Sequence, residues 1–373
     1  MTWVFWTSLG VIAYTYVGYP VWLWIRSRWR PRSAQRGTFE PFVSVVMIVR
    51  NEAGVVDSKL RNLRALNYPP HLWEIVVLSD GSTDGTNEIL RAHTSDPRVR
   101  VIMIHGSRGK AAGLNEAMNM ARGAIVVFTD ARQTIAPDAV HLLMENFADP
   151  EIGCASGELL LGDPESGEVT KGMGLYWRIE KTIRELEAAS GSVVGATGAF
   201  YAVRRKLLVP LPPETILDDV YIPMQVARQG GRVVFDPRAR AWDRPNQGAG
   251  REFTRKVRTL TGNYQLLQLA PWLLTRSNPI RFEFVSHKLF RLAVPFALSA
   301  TLVACLFLTA PIYRAALLLQ LVFYALALLA ILQPRHWALA RMADAAFTFV
   351  VLNAAAMVAF GNFVTGRKPV WTR

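Results

Sequence analysis

The sequence predicts an α/β domain with a largely parallel sheet, flanked on both sides by transmembrane α-helices. Three observations lead to this prediction. Uncharged runs long enough to cross a bilayer lie near both ends of the 373-residue chain. Between them, short apolar strand patterns alternate with helical patterns, which is typical of an α/β sheet. Polar or acidic residues follow three of these strands, and ligands of open α/β sheets bind at the carboxyl ends of strands.

The composition excludes several other classes of protein. Hydrophobic residues make up 51% of the chain, which excludes a disordered protein. Cys154 and Cys305 are too few for a disulfide scaffold, and the six histidines are scattered without zinc-like spacing. The net charge of +13 would suit nucleic acid, but the basic residues cluster beside the apolar runs. Lipid headgroups explain that placement better, so we expect no nucleic-acid partner.

The N-terminal segment, residues 1–25, carries no charge and is predicted to be a membrane helix. Five arginines follow it at positions 26, 28, 30, 32 and 36, and residues 26–40 form a basic linker. A cleaved signal peptide has its positive charge before the apolar run, so we interpret this segment as a retained anchor. The positive-inside rule then places the N-terminus outside and the following domain in the cytosol.

The C-terminal segment, residues 291–366, is predicted to hold about three membrane helices. From Leu292 to Pro334 only Arg314 is charged, and Pro311 predicts a turn between two spans. A third uncharged run covers Ala345–Gly366. With the N-terminal helix, three spans leave the basic tail 367–373 outside, although the positive-inside rule prefers it in the cytosol. Either the last segment is re-entrant or the rule is overridden.

The middle of the chain, residues 41–250, carries the α/β pattern. Its predicted strands are continuously apolar, as expected when both faces of the sheet are covered. They are Phe42–Val49, Trp73–Ser79, Val99–Ile104 and Ala124–Thr129. Pattern alone therefore predicts a nucleotide-binding α/β domain.

The first two strands end in motifs that resemble a known family. The runs SVVMIVRNEAGVVDSKLRNL and EIVVLSDGSTDGT are similar to the opening of family 2 glycosyltransferases of the GT-A fold. The resemblance implies that Glu52 and Asp80 hold the uridine of a nucleotide sugar. Carboxylates can accept hydrogen bonds from a ring N–H and from ribose hydroxyls. The alternative for Asp80-Gly81-Ser82 is an ordinary turn, since Asp-Gly is a common turn pair.

Two further motifs concern the donor diphosphate. GKAAGLNEAM resembles the family's Lys-Ala-Gly-x-x-Asn element and implies that Lys110, at a helix start, lies near phosphate. The alternative is a solvated lysine. VVFTDARQT occupies the place of the Asp-x-Asp motif, so Asp130 is the implied ligand of Mg²⁺ or Mn²⁺. Arg132 replaces the second aspartate, which predicts a weaker metal site.

The segment ETILDDVYIPMQVARQGGRVVFDP resembles the one that carries the catalytic base, usually Thr-Glu-Asp before a helix. In this register Asp219 is the base and Asp218 is its acidic neighbour. Adjacent carboxylates can raise one another's pKa, which moves a base toward working pH. The alternative is a pair of aspartates in the first turn of a helix, where acidic residues are favoured.

REFTRKVRTLTGNYQ stands where polymer-forming members carry Gln-x-x-Arg-Trp. Arg255 takes the Gln position, Arg258 the Arg position and Thr259 the Trp position. The resemblance implies that Arg255 and Arg258 bind the donor, with Arg258 clamping the leaving diphosphate.

Two other segments concern the acceptor and the membrane. GSVVGATGAFYAVRR resembles the acceptor-side segment, which implies roles for Gly195, Thr197 and Gly198. Residues 251–290 are predicted to be amphipathic interfacial helices. Eight Lys/Arg against two acidic residues between Arg251 and Arg291 fit an anionic leaflet.

Together these motifs resemble the membrane-integrated family 2 glycosyltransferases, close to the cellulose, hyaluronan and poly-N-acetylglucosamine synthases. The family implies inverting transfer from a UDP-sugar to a growing polysaccharide at the cytosolic face of the plasma membrane, possible secretion, and possible accessory subunits. One alternative is transfer of a single sugar to a polyprenyl-phosphate-linked acceptor, which fits the absent Gln and Trp. The other alternative is a non-catalytic membrane scaffold with a nucleotide pocket. The identity of the sugar is not encoded in these motifs.

Overall fold

A computed structural model describes residues 1–162, 175–244, 249–332 and 339–367. Its centre is a mixed sheet of eight strands within these ranges, in the order β3-β2-β1-β4-β7-β6-β8-β5. The strands are β1 (Val43–Val49), β2 (Trp73–Asp80), β3 (Val99–Ile104), β4 (Ile125–Thr129), β5 (Thr134–Ile135), β6 (Ile152–Leu161), β7 (Phe200–Arg204) and β8 (Arg232–Asp243).

The four strands predicted from the sequence are confirmed, and each predicted boundary lies within one residue of the observed boundary. β1 pairs in parallel with β2 and β4, and β2 pairs in parallel with β3. β7 runs antiparallel to β4, with Phe200 opposite Thr129. Because β7 therefore begins at the edge where β4 ends, the loop before β7 is brought to the carboxyl ends of β1 and β4.

The helices described cover both faces of this sheet and continue into the apolar termini. They are α1 (Thr2–Ala13), α2 (Tyr19–Trp29), α3 (Val56–Arg64), α4 (Thr86–Ala92), α5 (Lys110–Met120), α6 (Ala139–Asn146), α7 (Leu175–Ser190), α8 (Asp218–Arg228), α9 (Ala249–Leu269), α10 (Arg281–Phe284), α11 (Phe290–Phe307), α12 (Pro311–Leu332) and α13 (Ala340–Val364).

The core lies in two layers, one on each face of the sheet. On one face Met47 of β1 packs with Leu60 of α3 and with α6. On the other face Val46 packs with Leu114 of α5 and with Met224 of α8. Complete burial of such a side chain contributes about 1.5–3 kcal/mol. Successive strand residues are thus buried on opposite faces, which explains why these strands are continuously apolar.

Three helices at the C-terminal side are long and apolar enough to span a membrane: Arg281–Phe307, Pro311–Ile331 and Ala340–Val364. The first of them joins α10 to α11 through a π-helical turn, so it begins inside the predicted interfacial segment. The predicted turn at Pro311 is confirmed, because α11 ends at Phe307 and α12 begins at Pro311. α12 exposes Leu318 and Leu319 by 64% and 71%, as expected for a lipid-facing surface.

The N-terminal segment is helical from Thr2 to Trp29, with a π-helical turn at Tyr14–Gly18 between α1 and α2. α1 packs against α11, and α2 packs against α7 of the central domain. The predicted basic tail includes Lys368 and Arg373, which lie outside the described residues.

Candidate active site

A cavity of about 610 Å³ opens at the carboxyl ends of β1 and β4. Its wall brings together most of the residues singled out in the sequence. Of the predicted set, it includes Glu52, Lys110, Asp130, Thr197, Gly198, Asp218, Asp219, Arg255 and Arg258. The order of parallel strands explains the convergence, because the polar residues that follow adjacent strands meet at one edge.

Lys110 joins the predicted metal ligand to the predicted catalytic pair. Its Nζ lies 3.3 Å from Asp130 Oδ1 and 3.2 Å from Asp218 Oδ1. Burial lowers the pKa of Lys110, but Asp130, Asp218 and Asp219 raise it above its ordinary value. The lysine is therefore a firmly charged cation at the start of α5, where backbone N–H groups also favour an anion.

Asp219 stands in the first turn of α8, beside the loop that precedes β7. Burial and the neighbouring Asp218 raise its pKa to about 6. Its backbone carbonyl accepts a hydrogen bond of 2.7 Å from the N–H of Ala196. A Cβ added to Gly198 would lie 2.8 Å from Asp219 Oδ2, so only glycine leaves this carboxylate accessible. The carboxylate thus has the pKa and the access that a general base needs.

Glu52 lines the same cavity and follows β1. Burial and the nearby Asp130 raise its pKa, while Arg132 opposes the rise. Arg132 also lines the cavity. The arginine that replaces the second motif aspartate therefore interacts with Glu52.

Asp80, whose role in donor binding remains a prediction, ends β2 beside the loop that leads to Lys110. Among the described residues it is not part of the cavity wall. It is buried, and its carboxylate accepts hydrogen bonds from Ser107 Oγ at 2.7 Å and from the backbone N–H groups of Arg108 and Gly109 at 2.8 and 3.0 Å. In this structure Asp80 holds the loop that leads to Lys110.

The loops after β1 and β2 form hydrogen bonds with each other, so the motifs that follow these two strands lie side by side. Asn51 adopts a left-handed conformation with φ 55°, and its side-chain oxygen accepts a bond of 2.8 Å from the N–H of Thr83. Asparagine tolerates this conformation better than most residues. The N–H of Glu52 in turn donates to Thr86 Oγ1 at 2.9 Å, which fixes Glu52 at the cavity edge.

The predicted acceptor loop lies between Asp219 and α7. Gly195 has φ +90°, a conformation that favours glycine, but it is not part of the cavity wall described. Thr197 accepts a bond of 2.8 Å from Arg184 Nη1 of α7, and its N–H donates to Ser156 Oγ at 2.8 Å. The loop is therefore held by side chains from both neighbouring elements.

The sequence interpretation missed Trp177 of α7, which lines the cavity. The Nζ of Lys256 lies 5.5 Å from the centre of its ring. Trp177 therefore offers an aromatic surface in the cavity. Thr259 of α9, which stands at the position of the family's tryptophan, lines the same cavity. No motif surrounds Trp177, so its sequence context carries no signal of this role.

Lys59 of α3 was also missed. It is buried, and its Nζ donates to Thr129 Oγ1 at 2.9 Å and to the carbonyl of Gln133 at 2.6 Å. Burial lowers its pKa to about 7, although Asp130 opposes this. Its two bonds fix both ends of the loop that carries Asp130 and Arg132.

Asp130 is the predicted residue that would hold a divalent cation in this cavity. The Asp130 side chain is 43% exposed, so its carboxylate is accessible. Within the described ranges, no three His, Cys, Asp or Glu side chains form a metal-binding group. One carboxylate fits Mg²⁺ or Mn²⁺ when donor phosphates and waters complete the coordination. The residues present therefore fit a cation that binds together with the nucleotide.

Comparison with known proteins gives a family match for part of the chain and a solved structure with a similar fold. Residues 44–209 match the family described as Glycosyl transferase family 2. A mannosyltransferase from Pyrobaculum calidifontis, solved with GDP-Man and Mn²⁺, has a similar structure with TM-score 0.71 and 23% identity. The similarity covers 98% of this chain and 99% of that one. Residues 44–209 are therefore a domain that matches the family 2 glycosyltransferases, and the chain has the GT-A fold, as the motifs predicted.

The curated proteins that this chain resembles include polysaccharide synthases. A poly-beta-1,6-N-acetyl-D-glucosamine synthase of Staphylococcus aureus is 24% identical over 234 residues, which are 60% of this chain and 55% of the relative. The Staphylococcus epidermidis synthase is 24% identical over 247 residues, 64% and 58% of the two chains. The match thus spans little more than half the length of these relatives. The chain resembles these polysaccharide synthases over the matched residues.

Proposed function

We propose that this protein is an inverting glycosyltransferase that moves a sugar from a UDP-sugar to a growing polysaccharide at the cytosolic face of the plasma membrane. The polymer-synthase names of the curated relatives support the acceptor class. The observation that carries the proposal is the meeting of Asp219, Lys110 and Asp130 in one cavity. A base for the acceptor and charges for a diphosphate are then within reach of one bound donor.

Asp219 is the general base in this mechanism. Its carboxylate takes the proton of an acceptor hydroxyl while that oxygen bonds to the anomeric carbon of the donor sugar. The bond between this carbon and the phosphate oxygen breaks on the opposite side, which inverts the configuration. The electron pair leaves with the nucleoside diphosphate. A base with a pKa of about 6 is mostly ionised at neutral pH and remains strong enough to accept the proton.

Arg258, Arg255 and Lys110 stabilise the negative charge that develops on the leaving diphosphate. Guanidinium groups can bind phosphate oxygens bidentately, and preorganised charges at the leaving group lower the barrier. Asp130 holds Mg²⁺ or Mn²⁺, which when bound neutralises part of the diphosphate charge.

Trp177, Thr197 and Gly198 form the acceptor side. An aromatic ring packs against the apolar face of a pyranose, and glycine permits close approach of a hydroxyl to Asp219. The exposed apolar surfaces of α11 to α13 contact membrane lipids in this proposal, and accessory subunits are proposed as further partners.

A second candidate is transfer of one sugar to a polyprenyl-phosphate-linked acceptor. The charges in the cavity wall favour it: seven Lys/Arg face five Asp/Glu. The negative charge of the donor diphosphate balances this excess of positive charge, but a bound divalent cation restores it. The electrostatic potential at an acceptor phosphate would then be positive.

The test is to incubate the purified protein in lipid with radiolabelled UDP-sugars and GDP-mannose, then size the product. A labelled polymer supports the first proposal. A single labelled sugar that extracts into organic solvent supports the second. If no donor is consumed with any acceptor, both are wrong and the scaffold alternative is favoured.

A further inference from the structure

A buried network of polar side chains joins the helices at the membrane side to the acceptor loop. Its centre is Glu187 of α7, which is only 1% exposed. Tyr19 of α2 donates its hydroxyl to Glu187 Oε1 at 2.6 Å, and His287 Nδ1 lies 2.8 Å from the same oxygen. The other oxygen, Oε2, accepts a bond of 3.2 Å from the N–H of Val194. One carboxylate thus holds the N-terminal helix, a C-terminal helix and the start of the acceptor loop.

The network continues from His287 toward the cavity. His287 Nε2 lies 3.2 Å from Glu180 Oε1, and Glu180 also pairs with Arg291. Arg184 Nε donates to the same Glu180 oxygen at 3.3 Å, and its Nη1 donates to Thr197. Arg184 therefore links the buried network directly to the acceptor loop.

The buried carboxylates of this network face basic side chains. His287 is 1% exposed and faces a carboxylate with each ring nitrogen, so a single imidazole ring lies between Glu187 and Glu180. Burial raises the pKa of Glu187, but His287 and the hydrogen bonds outweigh this and lower it. Glu187 is therefore a carboxylate. Removing one member of a buried charged set leaves its partner uncompensated, so each member strongly constrains the others.

The acceptor loop transmits this constraint to the base. Glu187 fixes Val194, and two residues later the N–H of Ala196 bonds to the carbonyl of Asp219. Gly198 packs directly against the Asp219 carboxylate. A shift of the loop by a fraction of an ångström therefore changes the space between the base and an acceptor hydroxyl.

We propose that Glu187 and His287 are positioning residues through which the packed membrane-side helices set the geometry of the acceptor loop. This inference rests on the proposed transferase function. It assigns the N-terminal helix a role in catalysis as well as in anchoring. Neither residue lines the described cavity, and both act through Val194, Arg184 and Thr197.

The test compares Glu187→Gln and His287→Gln with the matched control Glu185→Gln, which makes the same change two residues away on α7. Three quantities are measured in lipid: donor affinity, transfer to acceptor at saturating donor, and hydrolysis of the donor without acceptor. We expect transfer to fall about 10- to 100-fold in both network variants, the scale of a misplaced reacting group. Donor affinity and hydrolysis should stay within about twofold of wild type, a change worth less than half a kcal/mol.

Tyr19→Phe provides a variant that keeps the packing and removes one hydroxyl. We expect it to lower transfer by about 3- to 10-fold, the scale of one hydrogen bond to a charged group. In the Glu187→Gln background it should have little further effect, because the two groups share one interaction.

Wild-type-like transfer in both network variants would overturn the inference. So would a parallel loss of donor affinity and transfer, which indicates general destabilisation. If the wild type itself consumes no donor, the proposed function is wrong, and the two failures remain distinguishable.

Discussion

The proposed role of Asp219 as proton acceptor can be tested separately from nucleotide binding. Asp219→Asn preserves shape and removes the proton acceptor, so transfer should fall by about 10²- to 10⁴-fold while nucleotide affinity stays nearly unchanged. Initial transfer rates and nucleotide titrations measure the two quantities. Glu88→Gln, an exposed acid on α4, is the control for loss of one negative charge. Near wild-type turnover in Asp219→Asn would mean that Asp218 or another group is the base.

The pKa of Asp219 predicts how the transfer rate depends on pH. Its folded-state pKa is raised to about 6, and only the carboxylate can accept a proton. Transfer at saturating substrates should therefore be nearly constant above pH 7 and fall about tenfold per unit below pH 6. A pH–rate profile checks this, with donor affinity followed over the same range. A profile that stays flat down to pH 4.5 contradicts the assignment.

Arg258 separates an enzyme from a nucleotide-binding scaffold. If it stabilises the leaving diphosphate, Arg258→Ala should lower turnover about 100-fold or more, the scale of losing one preorganised donor. Arg258→Lys should recover only part of the rate, because an ammonium cannot bind bidentately. The measurement is the initial rate at saturating donor for both variants. Full activity of the lysine variant indicates a headgroup contact instead.

At the scale of elements, we expect the loop after β4 to determine metal dependence. Asp130 is the motif's remaining carboxylate, and Arg132 adds a positive charge that repels a cation. Activity should therefore require Mg²⁺ or Mn²⁺ but with weak affinity, and Arg132→Asp should lower the metal concentration needed for half-maximal rate. Metal titrations of transfer in chelated buffer test this. Full activity in excess chelator would refute the metal requirement.

The loops differ in how far their roles could be predicted. The loop after β4 was predicted because its motif is contiguous in the chain. The acceptor loop depends on Arg184, Glu187 and Ser156, which come from other elements. Only packing brings these residues together.

At the scale of the whole molecule, cysteine labelling tests the membrane topology. The described native cysteines, Cys154 and Cys305, are buried, so added cysteines are labelled against a low background. We expect a membrane-impermeant maleimide to label Thr2→Cys on intact cells and Glu88→Cys only after permeabilisation. The reason is the arginine cluster after the first helix, which favours the cytosol. Labelling of Glu88→Cys on intact cells would reverse the proposed orientation.

Labelling near the C-terminal end tests the conflict between the predicted number of membrane spans and the positive-inside rule. α13 is one uninterrupted helix of 25 residues, long enough to cross the bilayer. We therefore expect Thr365→Cys, which lies just after it, to be labelled on intact cells. Labelling only after permeabilisation would mean that the positive-inside rule prevails and that the number of complete spans is odd.

The sequence by itself determined the fold class, the four parallel strands and the apolar helices of the C-terminal segment. These follow from local physics: strands buried on both faces must be continuously apolar, and helices that cross lipid must lack charge. It also predicted the cavity residues that stand directly after strands or at helix starts, because those positions converge at one edge of the sheet. The roles of these residues remain predictions.

Only the tertiary structure decided which side chains from distant elements meet. It gave the Asp80 carboxylate hydrogen bonds to the loop that leads to Lys110, and it brought Trp177 into the cavity wall without any motif. It also placed Tyr19 and His287 on one carboxylate, although they are 268 residues apart in the 373-residue chain. Such contacts depend on the packing of helices against each other, and hydrophobic periodicity specifies which face is buried but not its partner.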